Sequence, residues 1–283
     1  MANIQVVTDS ACDLNPSMTE AHDVRVVPLA IRFGSEELVD REELSVKEFW
    51  DRVITGPDMP ETAAPSPGAF RQAYIDAAEA GADGVICITL SSGLSATFQA
   101  ATTAATDLPV PIAVKVVDSQ SVTLGEGLLA LAASDMARDG RSLDDIVTEI
   151  ESLRDRTHVY GVLGGLDFLK KGGRIGGASH LMGSLLSIKP VIEIREGVVE
   201  VESKQRTRSR SLQYLAGKAL EAGPLERLGV ANGVADDIDE LLSILASAHP
   251  EHEMVVSDLG PVIGSHAGPG TVGVCFQVAR TAG

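Results

Sequence analysis

Aromatic side chains are scarce in this sequence, since Phe, Trp and Tyr together make up only 4% of its 283 residues. Any apolar cavity must therefore be walled mainly by aliphatic side chains. Hydrophobic residues make up 44% of the chain and charged residues 22%, which is typical of a folded globular protein and excludes a disordered chain.

Long apolar runs are missing as well, because none reaches the roughly 18–20 residues that a membrane helix needs. The first nine residues have neither a basic start nor an apolar signal core. The three cysteines, Cys12, Cys87 and Cys275, are an odd and widely spaced set. Cys87 and Cys275 lie in strand-like runs and are predicted to be small buried hydrophobes. We expect a cytoplasmic protein with no stable membrane insertion.

Positive charge is in deficit, with 23 Lys and Arg against 40 Asp and Glu and a net charge of -17. Such a surface repels phosphate backbones and anionic lipid headgroups, so we predict no nucleic-acid partner. A chain of this length is also long for one compact core, which favours two domains.

The first half of the chain alternates strand and helix patterns. Ser45 and Glu48 form a capping box at the start of one helix, and Ser66 caps the next. The predicted strands are 4–8, 24–33, 84–90 and 112–117, and the later helices are 67–79, 94–106, 123–138 and 142–154. This alternation predicts an α/β fold with a mostly parallel sheet and helices on both faces.

The second half has a different pattern, with an antiparallel hairpin of residues 190–194 and 198–203 among helices and strands. The remaining strands are predicted at 158–163, 228–231, 254–256 and 271–278, and helices at 179–186, 209–222 and 236–248. Residues 260–270 are predicted to be a Gly-rich loop. We therefore expect an N-terminal α/β lobe at 1–157, a C-terminal mixed α+β lobe at 158–283, and a ligand between them.

Polar residues follow the predicted parallel strands, where ligands bind in open sheets. They are Asp9-Ser10, residues 91–97 and residues 118–121, which contain many hydroxyls, two carboxylates and no histidine. This composition suits the binding of a small polar head better than proton-transfer catalysis. The helix start after Ser92 and Ser95 favours an anionic oxygen. Either serine could instead be a simple helix cap.

Other segments leave two interpretations open. Thr62 lies in a Pro-rich turn that is either a plain turn or a ligand contact, and the same alternatives hold for His266 in its Gly-rich loop. Residues 93–97 lack the final glycine of a nucleophile elbow, and the sequence has no Walker A motif and no Cys/His metal spacing. Residues 172–177 lack the preceding strand of a dinucleotide fingerprint.

The stretch from Lys170 to Arg210 is basic in an otherwise acidic chain. It holds nine Lys and Arg and four Glu, so its net charge is 9 − 4 = +5. The stretch is either a solvated face or a docking patch for an acidic partner or a phosphate.

These motifs, taken together and in order, resemble the DegV family over essentially the whole chain. They are Asp9-Ser10, residues 62–66, residues 91–95, residues 117–119, residues 171–175, Lys189-Pro190, Arg206-Thr207 and residues 261–266. The resemblance implies a bacterial fatty-acid-binding protein. It also implies a partner, a dihydroxyacetone-kinase-like fatty acid kinase subunit that phosphorylates the bound acid to an acyl phosphate.

The resemblance also assigns residue roles. Thr62, Ser95 and His266 are expected to bind the fatty-acid carboxylate, and Arg206 to contact the kinase. Arg174 is expected to contact a partner or phosphate. Two departures from the family pattern concern the head site, that is, the residues expected to bind the carboxylate. Ala63-Ala64 stand where the family has Ser-Gln, which removes a polar contact. Ala96 stands where it has Gly, which could crowd the carboxylate.

We expect a long-chain acid such as palmitate, no catalytic residue, no metal and no other cofactor. Plausible tunnel walls are aliphatic residues that could equally be ordinary core: Leu181, Met182, Leu185, Leu186 and Ile188. Two alternatives stay open, namely a hydrolase that uses Ser95 with His266 on an acyl ester, and a regulatory protein that senses lipid.

Overall fold

The computed structural model describes residues 2–181 and 188–280, without the side chain of His180. The strands, in chain order, are β1 (Ile4–Asp9), β2 (Val24–Val27), β3 (Ala30–Phe33), β4 (Glu36–Val39), β5 (Glu61–Ala63), β6 (Gly84–Thr89), β7 (Ala113–Asp118), β8 (Thr157–Val162), β9 (Lys189–Arg195), β10 (Val198–Gln205), β11 (Leu225–Gly233), β12 (Val255–Asp258) and β13 (Thr271–Val278). The α-helices are α1 (Pro16–Ala21), α2 (Val46–Thr55), α3 (Pro67–Glu79), α4 (Thr97–Ala105), α5 (Leu124–Arg138), α6 (Leu143–Arg154), α7 (Asp167–Lys171), α8 (Arg208–Glu221), α9 (Ile238–Ala248) and α10 (Pro261–Ala267).

The strands form three sheets. The first is parallel with the order β2-β1-β6-β7, and the second has six strands in the order β10-β9-β8-β13-β11-β12. All pairs in the second sheet are antiparallel except β11 with β12. The predicted class, a parallel α/β sheet followed by a mixed α+β part, is confirmed.

The parallel sheet is covered on both faces, as its continuous apolar strands predict. Val7 and Cys87 pack toward α3 and α4 on one face, while Val6 and Ile86 belong to the core on the other. Successive side chains of a strand point to opposite faces, so each strand contributes to both cores.

Helix α5 lies between the two large sheets. It contacts β1 and β6 of the parallel sheet and β8, β11 and β13 of the mixed sheet. Every residue from 124 to 134 is buried, because the helix is covered on both sides. Helices α8 and α9 cover the far face of the mixed sheet.

The predicted strand 24–33 is wrong in one respect, because it is two strands in different sheets. Val24–Val27 pairs with β1, and Ala30–Phe33 joins a separate antiparallel sheet of order β4-β3-β5. Pro28 lies between them, and proline has no N–H with which to continue a ladder. The sequence pattern did not reveal this third sheet.

The predicted loop 260–270 is also corrected, because Pro261–Ala267 is helix α10. Proline suits the first position of a helix, whereas Gly264 in its interior is unfavourable. Tertiary packing explains the glycine, since a β-carbon at position 264 would overlap the rings of Phe49 and Trp50. The pattern likewise missed α7, and it began α4 three residues early.

The predicted boundary at residue 158 stays a prediction. One hydrophobic core contains Val6 and Leu128 from before it and Val159 and Ile192 from after it. Among the described residues, no helix has the length and apolar character to cross a membrane. Cys12, Cys87 and Cys275 are all buried free thiols, as predicted for the last two.

Four buried carboxyl groups lie near the N-terminal end of α5 and the loop that follows β1. Thr8 Oγ1 donates a hydrogen bond of 2.7 Å to Glu126, and Asp9 accepts from the N–H groups of Ala11 and Leu90. Burial raises the pKa of both Asp9 and Glu126, and the charge on Asp9 raises that of Glu126 further. Burial also raises the pKa of Asp13 to about 7, against the lowering effect of Arg41. The fourth carboxyl is Asp40, whose pKa burial raises to about 6.

These raised pKa values predict that the protein loses stability as the pH rises. The folded state holds protons that the unfolded chain releases near pH 4, so the free energy of unfolding falls from about pH 4 to about pH 7. Each such carboxyl contributes a slope of up to about 1.4 kcal/mol per pH unit. Chemical denaturation at pH 5 and pH 8 should show greater stability at pH 5.

The Glu126→Gln variant should reduce this decline, because glutamine has no proton to lose and can still accept from Thr8. Glu79→Gln, an exposed change in α3, is the matched control and should keep the wild-type slope. An unchanged slope in Glu126→Gln would contradict the assignment of this loss of stability to the buried Glu126 carboxyl.

Candidate functional site

An apolar cavity of about 90 Å³ lies at the carboxyl ends of the parallel strands, facing the β9–β10 hairpin. Twelve aliphatic residues line it: Leu29, Leu90, Leu94, Val122, Leu163, Leu169, Ile192, Ile194, Val199, Val262, Ile263 and Ala267. Within the described part of the chain no aromatic residue lines this cavity, in agreement with the prediction from composition. Its position is the usual one for ligands of open parallel sheets.

Four polar side chains also line the cavity, and they come from four different segments. Thr62 is on β5, Ser95 precedes α4, Arg174 follows α7 and His266 is on α10. The structure thus brings the three predicted carboxylate ligands to one cavity, together with an arginine that was predicted to contact a partner or phosphate.

Thr62 and His266 are directly connected, with 2.9 Å between Oγ1 and Nε2. The neutral imidazole holds one proton. With that proton on Nε2, the ring donates to Thr62 Oγ1, and the threonine hydroxyl hydrogen is free to be donated to a ligand oxygen. The bond joins residues 204 positions apart in the sequence.

His266 is held in a confined, uncharged state. Burial and, as the smaller cause, the nearby positive charge of Arg174 together lower its pKa to about 4. The buried Nδ1 atom has no hydrogen-bond partner within the described residues. The ring lies against Gly172, where a β-carbon would overlap it, so only glycine fits at that position.

Ser95 lies in the turn that leads into α4. Its Oγ atom is 2.9 Å from Thr97 Oγ1 and accepts a weaker bond of 3.3 Å from the Thr97 N–H. The serine therefore has a partial capping role, as one of the two interpretations proposed. When Thr97 Oγ1 is the donor in the hydroxyl–hydroxyl bond, the hydrogen of Ser95 can be donated toward the cavity.

Arg174 gives the site its positive charge. Nε donates to the Leu94 carbonyl at 3.1 Å and Nη1 to the Gly172 carbonyl at 2.6 Å. These neutral acceptors orient the half-buried guanidinium without cancelling its charge. No carboxylate in residues 2–181 and 188–280 lies within 4.0 Å of it. An unpaired guanidinium of this kind favours an anionic ligand.

A second, polar pocket of about 400 Å³ adjoins the cavity and shares Thr62, Arg174 and His266 with it. Lys171 and Glu61 also line this pocket. The three shared residues therefore lie between an apolar space and a polar one. A ligand with an apolar chain and an anionic head would match this change in polarity.

A third cavity, apolar and about 50 Å³ in volume, extends the apolar space toward β13. It shares Val122, Leu163 and Ile192 with the first cavity and reaches Tyr160 and Gly273. Both apolar cavities are smaller than the roughly 300–1,000 Å³ of typical ligand pockets. A long ligand would have to move their side chains apart.

The polar residues that follow the parallel strands mostly support loops. Asp9 and Asp118 accept backbone N–H groups, the latter from Ser92 and Gln120. Ser91 is buried and donates to the Gly197 carbonyl at 2.6 Å, which connects this edge to the hairpin turn. The histidine that these segments lack is supplied by α10, from the other half of the chain.

The basic stretch is only partly available to a partner. Arg195 pairs with Glu193 and Glu202, and Arg208 pairs with Asp237. Arg206 is exposed and has no ion-pair partner within the described residues. It precedes α8 and is not among the described residues that line the cavity or the polar pocket.

The predicted tunnel walls do not coincide with the cavity walls that the structure describes. Leu181 is buried in the main core and Ile188 packs against that core, but neither is among the described lining residues. Met182, Leu185 and Leu186 lie outside the described residues.

The two departures from the family pattern lie away from the cavity. Ala63 is exposed and faces the opposite side of β5 from Thr62. Ala96 is also exposed, and neither it nor Ala64 is among the described lining residues. The expectation that Ala96 crowds the carboxylate stays a prediction.

A family model described as "Uncharacterised protein, DegV family" matches residues 3–279. This chain belongs to the DegV family. A DegV domain-containing protein of Streptomyces coelicolor is 34% identical over 282 residues, which cover 96% of this chain and 97% of the relative. Protein DegV of Bacillus subtilis is 32% identical over 279 residues, with 97% and 99% coverage.

Solved DegV structures share the fold of this chain. A DegV family protein from Thermus thermophilus, described by its fatty acid binding, is 36% identical with a TM-score of 0.89 and coverage of 98% of this chain and 100% of that chain. DegV of Bacillus subtilis, described as a fatty acid binding protein, is 31% identical with a TM-score of 0.88 and coverage of 99% and 100%. A stearic-acid-binding protein from Eubacterium ventriosum is 25% identical with a TM-score of 0.87, covering 98% of each chain.

The lowered pKa of His266 generates a prediction for this DegV protein in ligand-free form. Its imidazole should titrate near pH 4 in an NMR experiment, because burial disfavours the charged ring. The Arg174→Gln variant should raise that pKa only partly, since burial is the larger cause. A His266→Asn spectrum assigns the signal, and a titration near pH 6.5 would contradict the described environment.

Proposed function

We propose that this protein binds one long-chain fatty acid and presents its carboxylate to a kinase that forms an acyl phosphate. The observation that carries the proposal is Arg174, a half-buried cation without a carboxylate partner in the described residues, placed between an apolar cavity and a polar pocket. Structural relatives described as fatty-acid-binding proteins support the same ligand class.

The carboxylate would be bound by Thr62, Ser95 and His266, with Arg174 beside them. Thr62 and Ser95 can each donate a hydroxyl hydrogen, as their bonds to His266 and Thr97 leave one free. Charge-assisted bonds of this kind offset the large cost of removing a carboxylate from water. The nearby Arg174 charge lowers that cost further.

The acyl chain would occupy the aliphatic cavity and its extension toward β13. Each methylene removed from water contributes about 0.8 kcal/mol, so a chain of sixteen to eighteen carbons contributes on the order of 10 kcal/mol. Part of that energy is spent on separating the walls, because the two cavities are smaller than such a chain requires. Branched aliphatic walls allow this repacking more readily than interlocked aromatic rings.

A hydrolase is the less favoured alternative. A serine nucleophile requires a histidine base that is itself oriented by a third group. Here His266 bonds to Thr62, its Nδ1 atom has no partner in the described chain, and Ser95 bonds to Thr97. The lowered pKa of His266 also makes it a weak base. We therefore assign catalysis to a partner.

The polar pocket is the proposed route by which the partner reaches the carboxylate. Lys171 and Arg174 line it and suit the negative charge of a phosphoryl group in transfer. Arg206, exposed on the same basic stretch of sequence, is proposed to contact the dihydroxyacetone-kinase-like subunit. We place both proteins in the cytoplasm, where the three free thiols stay reduced.

The first prediction of this proposal concerns ligand content. Mass spectrometry of freshly purified, denatured protein should detect a fatty acid of about sixteen to eighteen carbons, the length at which methylene burial exceeds the cost of burying the head. Thr62→Val, Ser95→Ala and His266→Ala should each weaken fatty-acid affinity about 5- to 150-fold, because each leaves a buried polar group unpaired.

Ser92→Ala is the matched control, since Ser92 is an exposed serine in the same turn and does not line the cavity in the described structure. It should keep wild-type affinity. Protein that yields no lipid and binds none when lipid is added would refute fatty-acid binding. Turnover of an activated acyl ester that is lost in Ser95→Ala would instead establish the hydrolase.

The second prediction separates the kinase contact from the lipid site. Arg206→Ala should leave fatty-acid affinity within about twofold of wild type but slow phosphorylation of the bound acid by a cognate kinase. The exposed contact should weaken with salt, because charges between two protein surfaces are screened. Lipid affinity and kinase turnover should be measured at two ionic strengths.

Arg141→Ala is the control, because it removes the same charge from an exposed position outside the basic stretch. The kinase should phosphorylate the acid bound to this variant at the wild-type rate. If Arg206→Ala abolishes lipid binding instead, the arginine belongs to the head site. If a cognate kinase never acts on the loaded protein, a lipid-sensing role replaces the presentation role.

A further inference from the structure

Two histidines and a glutamate meet in the loop between α9 and β12, outside the lipid site. The sequence there is His249-Pro250-Glu251-His252, and none of these residues is among the described residues that line the cavity, its extension or the polar pocket. One potential ligand atom from each of His249, Glu251 and His252 lies within 4.8 Å of the other two.

The spacing of these atoms is that of ligands around one metal ion. Glu251 Oε1 is 3.6 Å from His249 Nδ1 and 3.5 Å from His252 Nε2. Tetrahedral ligands at the usual Zn–N and Zn–O distances of about 2.0–2.2 Å lie about 3.3–3.5 Å apart. The carboxylate therefore stands where it can share an ion with both rings.

Backbone hydrogen bonds order the segment that carries the two rings. The His249 N–H donates to the Leu245 carbonyl at 2.8 Å and so ends α9, and the His252 N–H donates to the His249 carbonyl at 3.1 Å. Pro250, between them, has a fixed φ angle. A ligand set that is already ordered loses little conformational entropy when it binds an ion.

The burial of His249 is the second observation that favours a ligand. Its side chain is only 5% exposed, the buried Nε2 atom has no hydrogen-bond partner among the described residues, and Nδ1 lies 3.6 Å from Glu251 Oε1. His252 is 17% exposed and Glu251 is 62% exposed, so solvent reaches the cluster from one side. A metal on Nδ1 would give this nearly buried ring a closer partner than the Glu251 carboxylate, which at 3.6 Å is beyond hydrogen-bond distance.

We propose that His249, Glu251 and His252 bind one divalent transition-metal ion of the zinc class, with water as the fourth ligand. Two imidazoles and one carboxylate suit Zn²⁺ better than Ca²⁺ or Mg²⁺, which prefer oxygen ligands. The net charge of -17 favours a cation. The ion would connect the end of α9 to the segment that enters β12, an edge strand of the mixed sheet.

The test is a Zn²⁺ titration of full-length protein that has been stripped with a chelator, in competition with a chromophoric chelator. One equivalent should bind, and Zn²⁺ should raise the Tm by several degrees because the ion binds only the folded state. Co²⁺ in place of Zn²⁺ should give the visible absorption of a four-coordinate site. Glu251→Gln and His252→Ala should each weaken binding about tenfold or more.

Glu253→Gln is the matched control, since Glu253 is exposed in the same loop and outside the cluster, and it should bind Zn²⁺ as the wild type does. Buried His249 is left unchanged so that folding is preserved. Failure of stripped wild-type protein to bind one equivalent would overturn the proposal. So would full binding by the double variant Glu251→Gln/His252→Ala, because the ion would then lie elsewhere. Fatty-acid content is a separate readout and does not enter this result.

Discussion

Helix α5 has to be buried on both sides, and much of the molecule is arranged around that requirement. The parallel sheet covers one face of the helix and the mixed sheet the other, so its residues 124–134 are all enclosed. The segment that enters it contributes Val122 to the wall of the cavity. The cavity lies where the carboxyl ends of the parallel strands, the start of α5 and the β9–β10 hairpin come together. A ligand bound there would contact both sheets.

The same arrangement has an electrostatic cost, because it encloses Asp9, Asp13 and Glu126 near a single cation of the described chain, Arg41. Burial raises the pKa of all three carboxyls above their usual range, which favours their protonated forms. The carboxyls are used to hold loops, since Asp9 accepts the Leu90 N–H and Asp13 accepts the Gly260 N–H. Leu90 lines the cavity and Gly260 precedes α10, which carries His266. The buried acids thus position segments of the candidate site without lining its cavity.

At the candidate site the charge is positive, opposite to that of the buried carboxylates. Arg174 is oriented by two carbonyl groups and is not neutralised by a carboxylate of the described chain. It also helps to keep His266 uncharged, so the imidazole acts as a hydrogen-bonding group rather than as a second cation. An anionic head bound there would therefore meet one cation and two hydroxyl groups. A neutral lipid such as an ester would leave the guanidinium without a counter-ion, which is a physical reason to favour a free acid.

The sequence by itself determined most elements of the two large sheets, the burial of Cys87 and Cys275 and the aliphatic character of the cavity, because these follow from local periodicity and composition. Through the family resemblance it also indicated Thr62, Ser95 and His266.

Only the tertiary structure decided that Thr62 and His266 are hydrogen-bonded, since 204 residues separate them and no local pattern records their contact. It likewise decided that α10 is a helix, because Gly264 is required by the rings it packs against and not by its own propensity. The sequence also did not determine the ion-pair partners of charged residues. A run of basic residues predicts a positive patch, but Arg195 and Arg208 form ion pairs with carboxylates, while Arg174 pairs with no carboxylate of the described chain. Pairing depends on which carboxylates the fold brings within reach, and that is a property of three-dimensional packing alone.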